Sequence, residues 1–204
     1  MGNGEKKEYR LLEGKPVLEH CITAFIQTGQ FCKYIITVPP GHIGHVQEKI
    51  SFLTHNISFI EGGTTRQESV FLGLKALEQE QIEYVLIHDG ARPWVTPLLI
   101  TVVLQAAQKH NACIPVVEIP DAPKLIDKNG YIEFHHKKHT LFGAQTPQGF
   151  SFPLILQAHR QAAEISNLFA DDAEVYSILG KGIFTVPGEI SNRKITYAHD
   201  LEAQ

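Results

Sequence analysis

The chain has 204 residues, of which 43% are hydrophobic and 20% charged, a composition typical of a soluble globular domain and unlike that of a disordered or fibrous protein. Its 22 acidic and 18 basic side chains give a net charge of -4, so there is no basic excess to bind a nucleic-acid backbone. We therefore expect a single domain over residues 1–204 and no nucleic-acid partner, whereas a small phosphate ester remains a possible ligand.

The cysteines and the N-terminal residues bear on the compartment. Cys21, Cys32 and Cys113 form no closely spaced pair, which favours a reducing compartment over a disulfide framework. The N-terminus is charged where a signal peptide needs an apolar segment, and no apolar run has the length of a membrane span. These features predict a cytoplasmic protein with no membrane partner.

The first half of the chain alternates between helical and strand patterns. Apolar spacing predicts helices over 17–26, 45–52 and 97–110 and a further helix ending at Leu77, and short branched runs predict strands over 34–38, 57–60, 84–87 and 113–117. Two capping boxes are possible before Leu77, Thr64 with Gln67 or Thr65 with Glu68. This alternation, with continuously apolar strands, predicts an α/β fold with a mostly parallel sheet that is covered on both faces.

The pattern changes after residue 120. Two short alternating runs flank Asn129-Gly130 within residues 124–134, which predicts a projecting β-hairpin arm over 120–140. Helical patterns return at 153–165 and 171–179, strand patterns return at 183–186 and 194–197, and a last helix begins near residue 200.

Polar residues follow several of the predicted strands, at the edge where ligands bind to an open parallel sheet. The candidate positions are Gly62 to Arg66 with free N–H groups at a helix start, Asp89 with Arg92, Asp121 with Lys124, and Lys194 beside Thr196. Carboxylate, arginine and lysine groups at one edge suit a site for a metal ion, a nucleotide and a phosphate. Asp89-Gly90 and Gly62-Gly63 are also each compatible with an ordinary turn.

Two groups of histidines raise the question of a zinc site. They are His42 with His45, and His135 and His136 with His139. Neither group has a cysteine or a carboxylate at ligand spacing beside it, so a zinc site is the less favoured interpretation.

Five motifs together give the chain a resemblance to a known family. They are Gly62-Gly63-x-x-Arg66-x-x-Ser69-Val70-x-x-Gly73-Leu74, His88-Asp89-Gly90-Ala91-Arg92-Pro93, Ala144-Gln145-Thr146-Pro147-Gln148-Gly149-Phe150, Asp171-Asp172-Ala173 and Asn192-x-Lys194-Ile195-Thr196. In this order they resemble the 2-C-methyl-D-erythritol 4-phosphate cytidylyltransferases, the enzymes of the third step of the non-mevalonate pathway to isoprenoids. The resemblance implies a Rossmann-like nucleotidyltransferase sheet with a projecting hairpin arm.

The resemblance also implies a reaction and its participants. The phosphate of the sugar alcohol attacks the α-phosphorus of CTP, pyrophosphate leaves, and magnesium bridges the triphosphate oxygens. In the family the hairpin arm is exchanged between the subunits of a homodimer. We therefore expect CTP and a polyol phosphate as substrates, Mg²⁺ or another divalent cation as cofactor, and a homodimer formed through the 120–140 arm.

Individual roles follow from the family's motifs. The expected catalytic cations are Lys7, Lys194 and, on the arm, Lys138. The expected substrate-binding residues are Asp89, Arg92, Thr146 and Asp121, and those expected around the cytidine are Gly62, Gly63, Thr64, Ser69 and Gly90. Asp89 is also the candidate metal ligand, with CTP phosphates supplying most of the coordination. Arg66 is assigned only to bracing its own loop.

The sequence departs from the family pattern at several positions. Lys138 replaces a substrate-positioning arginine, and Ala122 and Ala170 stand where threonine is usual. The family begins with a strand and a glycine-rich loop carrying an arginine, followed by Met-Gly and then Lys-Gln-Tyr or Lys-Gln-Phe, with which Met1-Gly2 and Lys7-Glu8-Tyr9 align. The resemblance thus implies that this first strand and most of the loop are absent from the sequence, through a misassigned start or a true shortening.

Three hypotheses remain open at this point. The chain is the methylerythritol phosphate enzyme, or a cytidylyltransferase for another polyol phosphate such as ribitol 5-phosphate, or a shortened, non-catalytic nucleotide-binding protein. The segment from Asp121 to Lys124 and the stretch from Gln145 to Gln148 favour the first hypothesis, whereas Ala122 and Lys138 are compatible with the second.

Overall fold

The computed structural model describes residues 6–50, 56–165 and 168–201. Its helices are α1 Val17–Gln27, α2 Ile43–Lys49, α3 Arg66–Ala76, α4 Pro97–His110, α5 Phe152–Glu164 and α6 Asp172–Ser177, with 3₁₀ turns at Lys7–Tyr9 and Ala198–Leu201. Its strands are β1 Leu11–Leu12, β2 Lys15–Pro16, β3 Tyr34–Val38, β4 Ile57–Glu61, β5 Tyr84–Ile87, β6 Ala112–Glu118, β7 Lys124–Ile126, β8 Ile132–His135, β9 Phe142–Ala144, β10 Gln148–Ser151 and β11 Phe184–Pro187.

The larger sheet has the strand order β11-β6-β10-β5, and β9 pairs with β6. Strand β11 is parallel to β6, whereas β10 is antiparallel to both β5 and β6, so β5 and β6 run in the same direction. The expected α/β sheet is confirmed. The pattern around Gln148 gave no sign of a central strand, because glutamine and glycine have low strand propensity.

Helices cover both faces of this sheet, as the continuously apolar strands predict. On one face, Phe150 and Tyr176 lie in a cluster with the helices α3, α5 and α6. On the other face, α1 and α4 pack over Leu86 and Cys113. Gly149 allows the close approach of α4, since a Cβ atom there would lie 3.0 Å from the Cβ of Ala107.

A separate two-stranded sheet is formed by β3 and β4, which are parallel. Tyr34 and Tyr84, the first residues of β3 and β5, pack against the same cluster, and the loops after β4 and β5 meet at the opposite edge. Strands β3 and β5 therefore run in the same direction on opposite sides of a groove. In the described chain they do not pair with each other, and an apolar groove of about 370 Å³ lies between them, lined by Ile36 and Leu86 among others.

Local capping fixes the starts of the helices that carry the site. Thr65 is the N-cap of α3, and its side chain accepts a hydrogen bond from the Glu68 N–H, so the second of the two possible capping boxes is the one formed. Thr96 caps α4 in the same way, with Pro97 following it. Asp171 caps α6.

The predicted arm is present as the antiparallel hairpin of β7 and β8. Its turn is held by Asp127, whose carboxylate accepts hydrogen bonds from the N–H groups of Asn129 and Tyr131 at 2.9 and 2.8 Å. Gly130 takes a positive φ of 89°, which the turn requires. Every residue of the two strands is exposed.

Several predicted boundaries differ from the structure. The predicted strand over 194–197 is wrong: the Ile195 N–H donates to the Ala91 carbonyl, whereas those of Thr196 and Tyr197 donate to the Asp200 carboxylate. The last helix is a 3₁₀ turn. The helix predicted over 45–52 spans 43–49, and residues 51–52, like Met1-Gly2, lie outside the described residues. Across the described ranges, no helix has both the length and the apolar character to cross a membrane.

Hydrogen exchange should distinguish the open strand β5 from the enclosed strand β10. Gly149 and Phe150 in β10 pair with strands on both sides, whereas β5 pairs only with β10 among the described residues. We expect alternate amides of β5 to exchange about 100-fold or more faster than those of Gly149 and Phe150, because an edge amide has no ladder partner. Amide exchange followed by NMR measures this, with Cys113 as the enclosed control, and uniform protection along β5 would contradict it.

Candidate active site

The site is built around the carboxylate of Asp89, which directly follows β5. Arg66, the first residue of α3, places its Nε 3.1 Å from Asp89 Oδ1. The Nζ of Lys194 lies 3.0 Å from Oδ2, and the Nε of Arg92 lies 3.4 Å from the same oxygen. Three cations from three separate segments therefore meet one acid at the carboxyl edge of the sheet. The sequence predicted Asp89, Arg92 and Lys194 at this edge, although Lys194 lies in a loop and not at the end of a strand.

The electrostatics of this cluster keep Asp89 ionised. Burial alone would raise the pKa of the Asp89 carboxyl, but the attraction of Arg66 and Lys194 outweighs it and holds that pKa well below its usual range. Burial would likewise lower the pKa of Arg66, but Asp172 and Asp89 outweigh it and raise that pKa. Asp89 and Arg66 are thus both charged at neutral pH.

Thr146 fixes the backbone of the Asp89 loop. The Asp89 N–H donates to Thr146 Oγ1 at 3.0 Å, and this hydroxyl in turn lies 3.0 Å from Nδ1 of His88. The Arg92 carbonyl can only accept, so the proton of the neutral ring is assigned to His88 Nε2, which donates to that carbonyl at 3.2 Å. His88 Nδ1 therefore accepts a hydrogen bond from the Thr146 hydroxyl. Burial lowers the pKa of His88 to about 4, so its ring is neutral at pH 7.

The C-terminal loop that carries Lys194 is held by Gln145, the residue before Thr146. The Gln145 side chain donates to the carbonyls of Glu189 and Asn192 at 2.8 and 3.2 Å and accepts from the Glu189 N–H at 3.1 Å. The guanidinium of Arg92 also donates to the Asn192 carbonyl, at 2.9 Å. These contacts set the position of Lys194, two residues further on.

The loop after β4 is closed by its own hydrogen bonds. The N–H of Gly63 donates to Ser69 Oγ at 3.1 Å, that of Thr64 donates to the Glu68 carboxylate at 2.7 Å, and that of Gly62 donates to a carbonyl of β3 at 2.7 Å. The expectation of free N–H groups at these three positions is therefore wrong. The glycines are needed for close packing, since a Cβ on Gly62 would lie 2.7 Å from Ser69 Oγ.

This arrangement limits what the loop can bind. The Glu68 carboxylate lies at the start of α3, and hydrogen bonds from Thr64 lower its pKa. A negative charge already occupies the helix N-terminus, so a phosphate is disfavoured there and a neutral base is the better fit. The geometry is compatible with the cytidine side of the expected substrate.

The expected residues Lys7 and Gly90 lie in adjoining segments. Lys7 begins a 3₁₀ turn whose last residue, Tyr9, is buried. A Cβ on Gly90 would lie 3.7 Å from Cγ of Glu8 and 3.2 Å from Cδ1 of Leu18, so this turn packs against the Asp89 loop. The segment carrying Lys7 thus adjoins the Asp89 loop.

Two expected residues are not brought to this cluster. Asp121 and Lys138 lie exposed at the two ends of the arm region. Within the described residues, no hydrogen bond or ion pair joins either of them to Asp89 or its partners.

Residues that the sequence motifs contained but gave no role complete the site. Asp172, only 1% exposed, accepts a hydrogen bond from Arg66 at 2.7 Å. Gln148, equally buried, donates to the Asp171 carboxylate at 2.8 Å and accepts from the Ala173 N–H at 3.0 Å. Their polar character inside a motif was the available signal, but their partners are distant in the sequence.

A sheet of this type, with a cation-rich acid site at the carboxyl ends of its strands and a glycine loop leading into a helix, defines a nucleotidyltransferase of the α/β class. The family model described as "IspD: 2-C-methyl-D-erythritol 4-phosphate cytidylyltransferase" matches residues 1–204. The chain belongs to this family, which confirms the resemblance seen in its motifs.

Curated relatives agree with this assignment. The 2-C-methyl-D-erythritol 4-phosphate cytidylyltransferase of Bacillus mycoides is 37% identical over 205 residues, covering 98% of this chain and 88% of the relative. A bifunctional IspD/IspF enzyme of Bradyrhizobium is 38% identical over 201 residues, and the match spans about half of its length, 51%. These names favour the methylerythritol phosphate enzyme over the other two hypotheses.

Solved structures confirm the fold. The 4-diphosphocytidyl-2C-methyl-D-erythritol synthase of Anaerococcus prevotii superposes with a TM-score of 0.89 at 29% identity, covering 98% of this chain and 89% of that one. The corresponding cytidylyltransferase of Thermus thermophilus gives a TM-score of 0.80 at 31% identity, covering 96% and 90%.

Acid should lower the free energy of unfolding through His88. Above pH 6.5 this side chain is neutral in both the folded and the unfolded state, so it contributes nothing there. As the pH falls from 6.5 towards 4, only the unfolded chain takes up the proton, and the free energy of unfolding should fall by about 3 kcal/mol. Urea unfolding at pH 7, 5.5 and 4 measures this change.

The matched variant is His88→Gln, which keeps a polar side chain but does not titrate. The other histidines are common to both proteins and cancel in the comparison. The variant should lose less stability than the wild type between pH 6.5 and 4, and equal losses in the two proteins would contradict the assignment to His88.

Proposed function

We propose that this chain transfers the cytidylyl group of CTP to 2-C-methyl-D-erythritol 4-phosphate. An oxygen of the sugar-alcohol phosphate forms a bond to the α-phosphorus, the bond from that phosphorus to the bridging oxygen breaks, and pyrophosphate leaves with that electron pair. The observation that carries the proposal, together with family membership, is the convergence of Arg66, Arg92 and Lys194 on Asp89. Such a cluster suits a reaction between two anions.

The reaction asks for positioning and charge neutralisation and needs no general base. A phosphate monoester is already an anion at pH 7, so the nucleophile needs no proton removed. The reaction is opposed by the repulsion between the attacking phosphate and the triphosphate. Fixed cations reduce this repulsion most effectively in a site shielded from water.

Individual residues take the following roles in this proposal. Lys7 stabilises the charge at the α-phosphorus, and Lys194 holds phosphate on the other side. Asp89 accepts hydrogen bonds from the hydroxyl groups of the sugar alcohol, and Arg92 and Thr146 orient it. Support comes from the ionised state of Asp89 and from the hydrogen bond that Thr146 accepts from its backbone.

The cytidine lies beside the loop after β4. Gly62, Gly63, Thr64 and Ser69 line its pocket, and Gly90 borders it from the neighbouring strand end. The hydrogen bonds inside the loop leave Gly62 and Gly63 packed against α3, which gives the base a rigid wall.

A divalent cation, Mg²⁺ or a similar ion, belongs to the proposal as a partner of the triphosphate. Among the residues that the structure describes, no group of three or more histidine, cysteine or acidic side chains is arranged to hold a metal. Both oxygens of Asp89 contact cationic groups, so ligation by Asp89 requires the displacement of one of them. The residues present do not form a metal site by themselves, and triphosphate oxygens would supply most of the ligands of a bound cation.

The exposed apolar side chains of the hairpin arm indicate an interface between subunits. Its strands expose large apolar side chains, among them Leu125 at 47%, Ile132 at 50% and Phe134 at 55%. We propose that it packs against a second copy of the chain in a homodimer and brings Asp121 and Lys138 to the partner's substrate. This accounts for the absence of any described contact between these two residues and Asp89 in one chain.

We assign the reaction to the cytoplasm. The three cysteines are unpaired in the structure, and Cys32 is exposed, which is compatible with a reducing compartment.

The wild-type chain should release pyrophosphate from CTP when a polyol phosphate is present, faster with 2-C-methyl-D-erythritol 4-phosphate than with ribitol 5-phosphate. Lys194→Ala should lower turnover about 100- to 1,000-fold, because it removes a preorganised charge. A continuous pyrophosphate assay measures both quantities. The matched control is Lys181→Ala, an exposed lysine before β11, which should leave turnover unchanged.

Two outcomes would count against this proposal. No pyrophosphate release with either polyol phosphate, alongside intact CTP binding, would contradict catalysis by this chain. Turnover of Lys194→Ala equal to that of Lys181→Ala would remove Lys194 from the mechanism.

The Leu125→Ser/Phe134→Ser double variant should be a monomer at concentrations where the wild type is a dimer. These two residues are cross-strand partners in the arm, so the change removes apolar contact area without touching the sheet core. Light scattering after size exclusion measures the mass. The control is Leu11→Ser/Leu98→Ser, which changes two apolar residues elsewhere that are more exposed than the arm pair, and a dimer in both variants would contradict the arm interface.

A further inference from the structure

Arg66 links Asp89 to a second, buried acid. Its Nε donates to Asp89 Oδ1 at 3.1 Å, and its Nη2 donates to Asp172 Oδ2 at 2.7 Å. The other oxygen of Asp172 lies 3.2 Å from Nε2 of His159, and the His159 ring stacks on Phe71 with a 6.2 Å centroid distance and a 10° interplanar angle. Asp172 and His159 are each only 1% exposed.

The far end of this chain of contacts is rigid. Asp172 is the first residue of α6, whose start is held by the N-cap Asp171. Gln148 grips both neighbours of Asp172, donating to the Asp171 carboxylate and accepting from the Ala173 N–H. Asp172 is therefore a fixed point from the core of the protein, not a mobile surface acid.

Substrate binding should weaken some of the contacts of Asp89 and leave the contact with Arg66 intact. In the proposed function, Lys194 also holds a phosphate and Arg92 also orients the sugar alcohol, so their attraction to Asp89 weakens when the substrates bind. The second arm of Arg66 is already bound to Asp172, which leaves Arg66 in place. The planar guanidinium is suited to this role because it contacts two carboxylates at once, which an ammonium group does with less directional control.

We propose that Arg66, held by Asp172 and His159, is a positioning residue that keeps the Asp89 carboxylate oriented and charge-balanced while the substrates draw Lys194 and Arg92 away. This inference rests on the proposed function and extends it. Arg66 also begins the helix that follows the nucleotide loop, so it connects the cytidine side of the site to the polyol side.

The titration of Asp89 supplies a readout that loop bracing alone would not move. Arg66 and Lys194 are the main groups that lower the pKa of Asp89, so a misplaced Arg66 should raise it. The titratable and charged groups that face or adjoin this carboxyl are Arg66 from α3, His88 and Arg92 from its own loop, Lys194 from the C-terminal loop, Cys21 from α1 and Glu8 from the N-terminal turn.

The test compares Arg66→Lys and Asp172→Asn with a matched pair at the surface. Arg160 forms an exposed ion pair with Glu78, so Arg160→Lys and Glu78→Gln make the same chemical changes away from the site. We expect turnover of Arg66→Lys and Asp172→Asn to fall about 100-fold with the KM for CTP nearly unchanged, since misplacing a reacting group by about 1 Å costs that much. Turnover of the Arg66→Lys/Asp172→Asn double variant should be no lower than that of the more severe single variant, because each single change already breaks the Arg66–Asp172 ion pair.

A ¹³C NMR titration of the Asp89 carboxyl is the second measurement and requires no substrate. The wild type and the surface variants should keep Asp89 ionised through the acidic range, whereas Arg66→Lys should show a raised pKa. Asp172→Asn also removes a neighbouring acid, which alone would lower the Asp89 pKa, so a raised pKa in this variant reports a displaced Arg66. An Asp89 pKa that is raised in neither site variant, or a loss of turnover that only follows the folded fraction seen by circular dichroism, would overturn the inference. An inactive wild type would instead contradict the proposed function, and the titration would still decide the role of Arg66.

Discussion

The charge balance around Asp89 is the interaction on which the site depends. Burial raises the pKa of the Asp89 carboxyl unless its cations outweigh that effect, and three cations this close together would repel one another without the carboxylate. Each cation comes from a different segment: Arg66 from the start of α3, Arg92 from the loop after β5, and Lys194 from the C-terminal loop. The charge balance around Asp89 therefore requires a fold that brings these three segments together at the carboxyl edge of the sheet.

The segment from Gln145 to Phe150 holds several parts of the site together at this edge of the sheet. Gln145 holds the C-terminal loop, Thr146 holds the Asp89 backbone, Gln148 holds the start of α6, and Phe150 enters the core with no exposed surface. Because the segment continues as β10 between β5 and β6, its side chains alternate between the two sides of the sheet. Polar side chains that would be costly to bury alone are stabilised by hydrogen bonds to segments that the site needs.

The part of this arrangement that could be read from the sequence is the local part. Apolar spacing predicts the helices, Thr65 and Thr96 mark two of their starts, and the end of a strand indicates the position of Asp89. Strand β10 could not be predicted, because its stability comes from pairing on both sides and not from its own residues. The apolar alternation near Ile195 predicted a strand wrongly, since the backbone there bonds to a side chain and a loop.

The double role of Arg66 was also beyond sequence reasoning, since its partner Asp172 lies 106 residues further on. The groove between β3 and β5 explains why Arg66 is important. In the described chain β3 and β4 form one sheet and β5 belongs to another, so no backbone ladder fixes the nucleotide loop relative to Asp89. Helix packing and the Arg66 ion pairs must do so instead. A guanidinium that joins the helix following one sheet to the acid at the edge of the other is then a structural link and an electrostatic one at the same time.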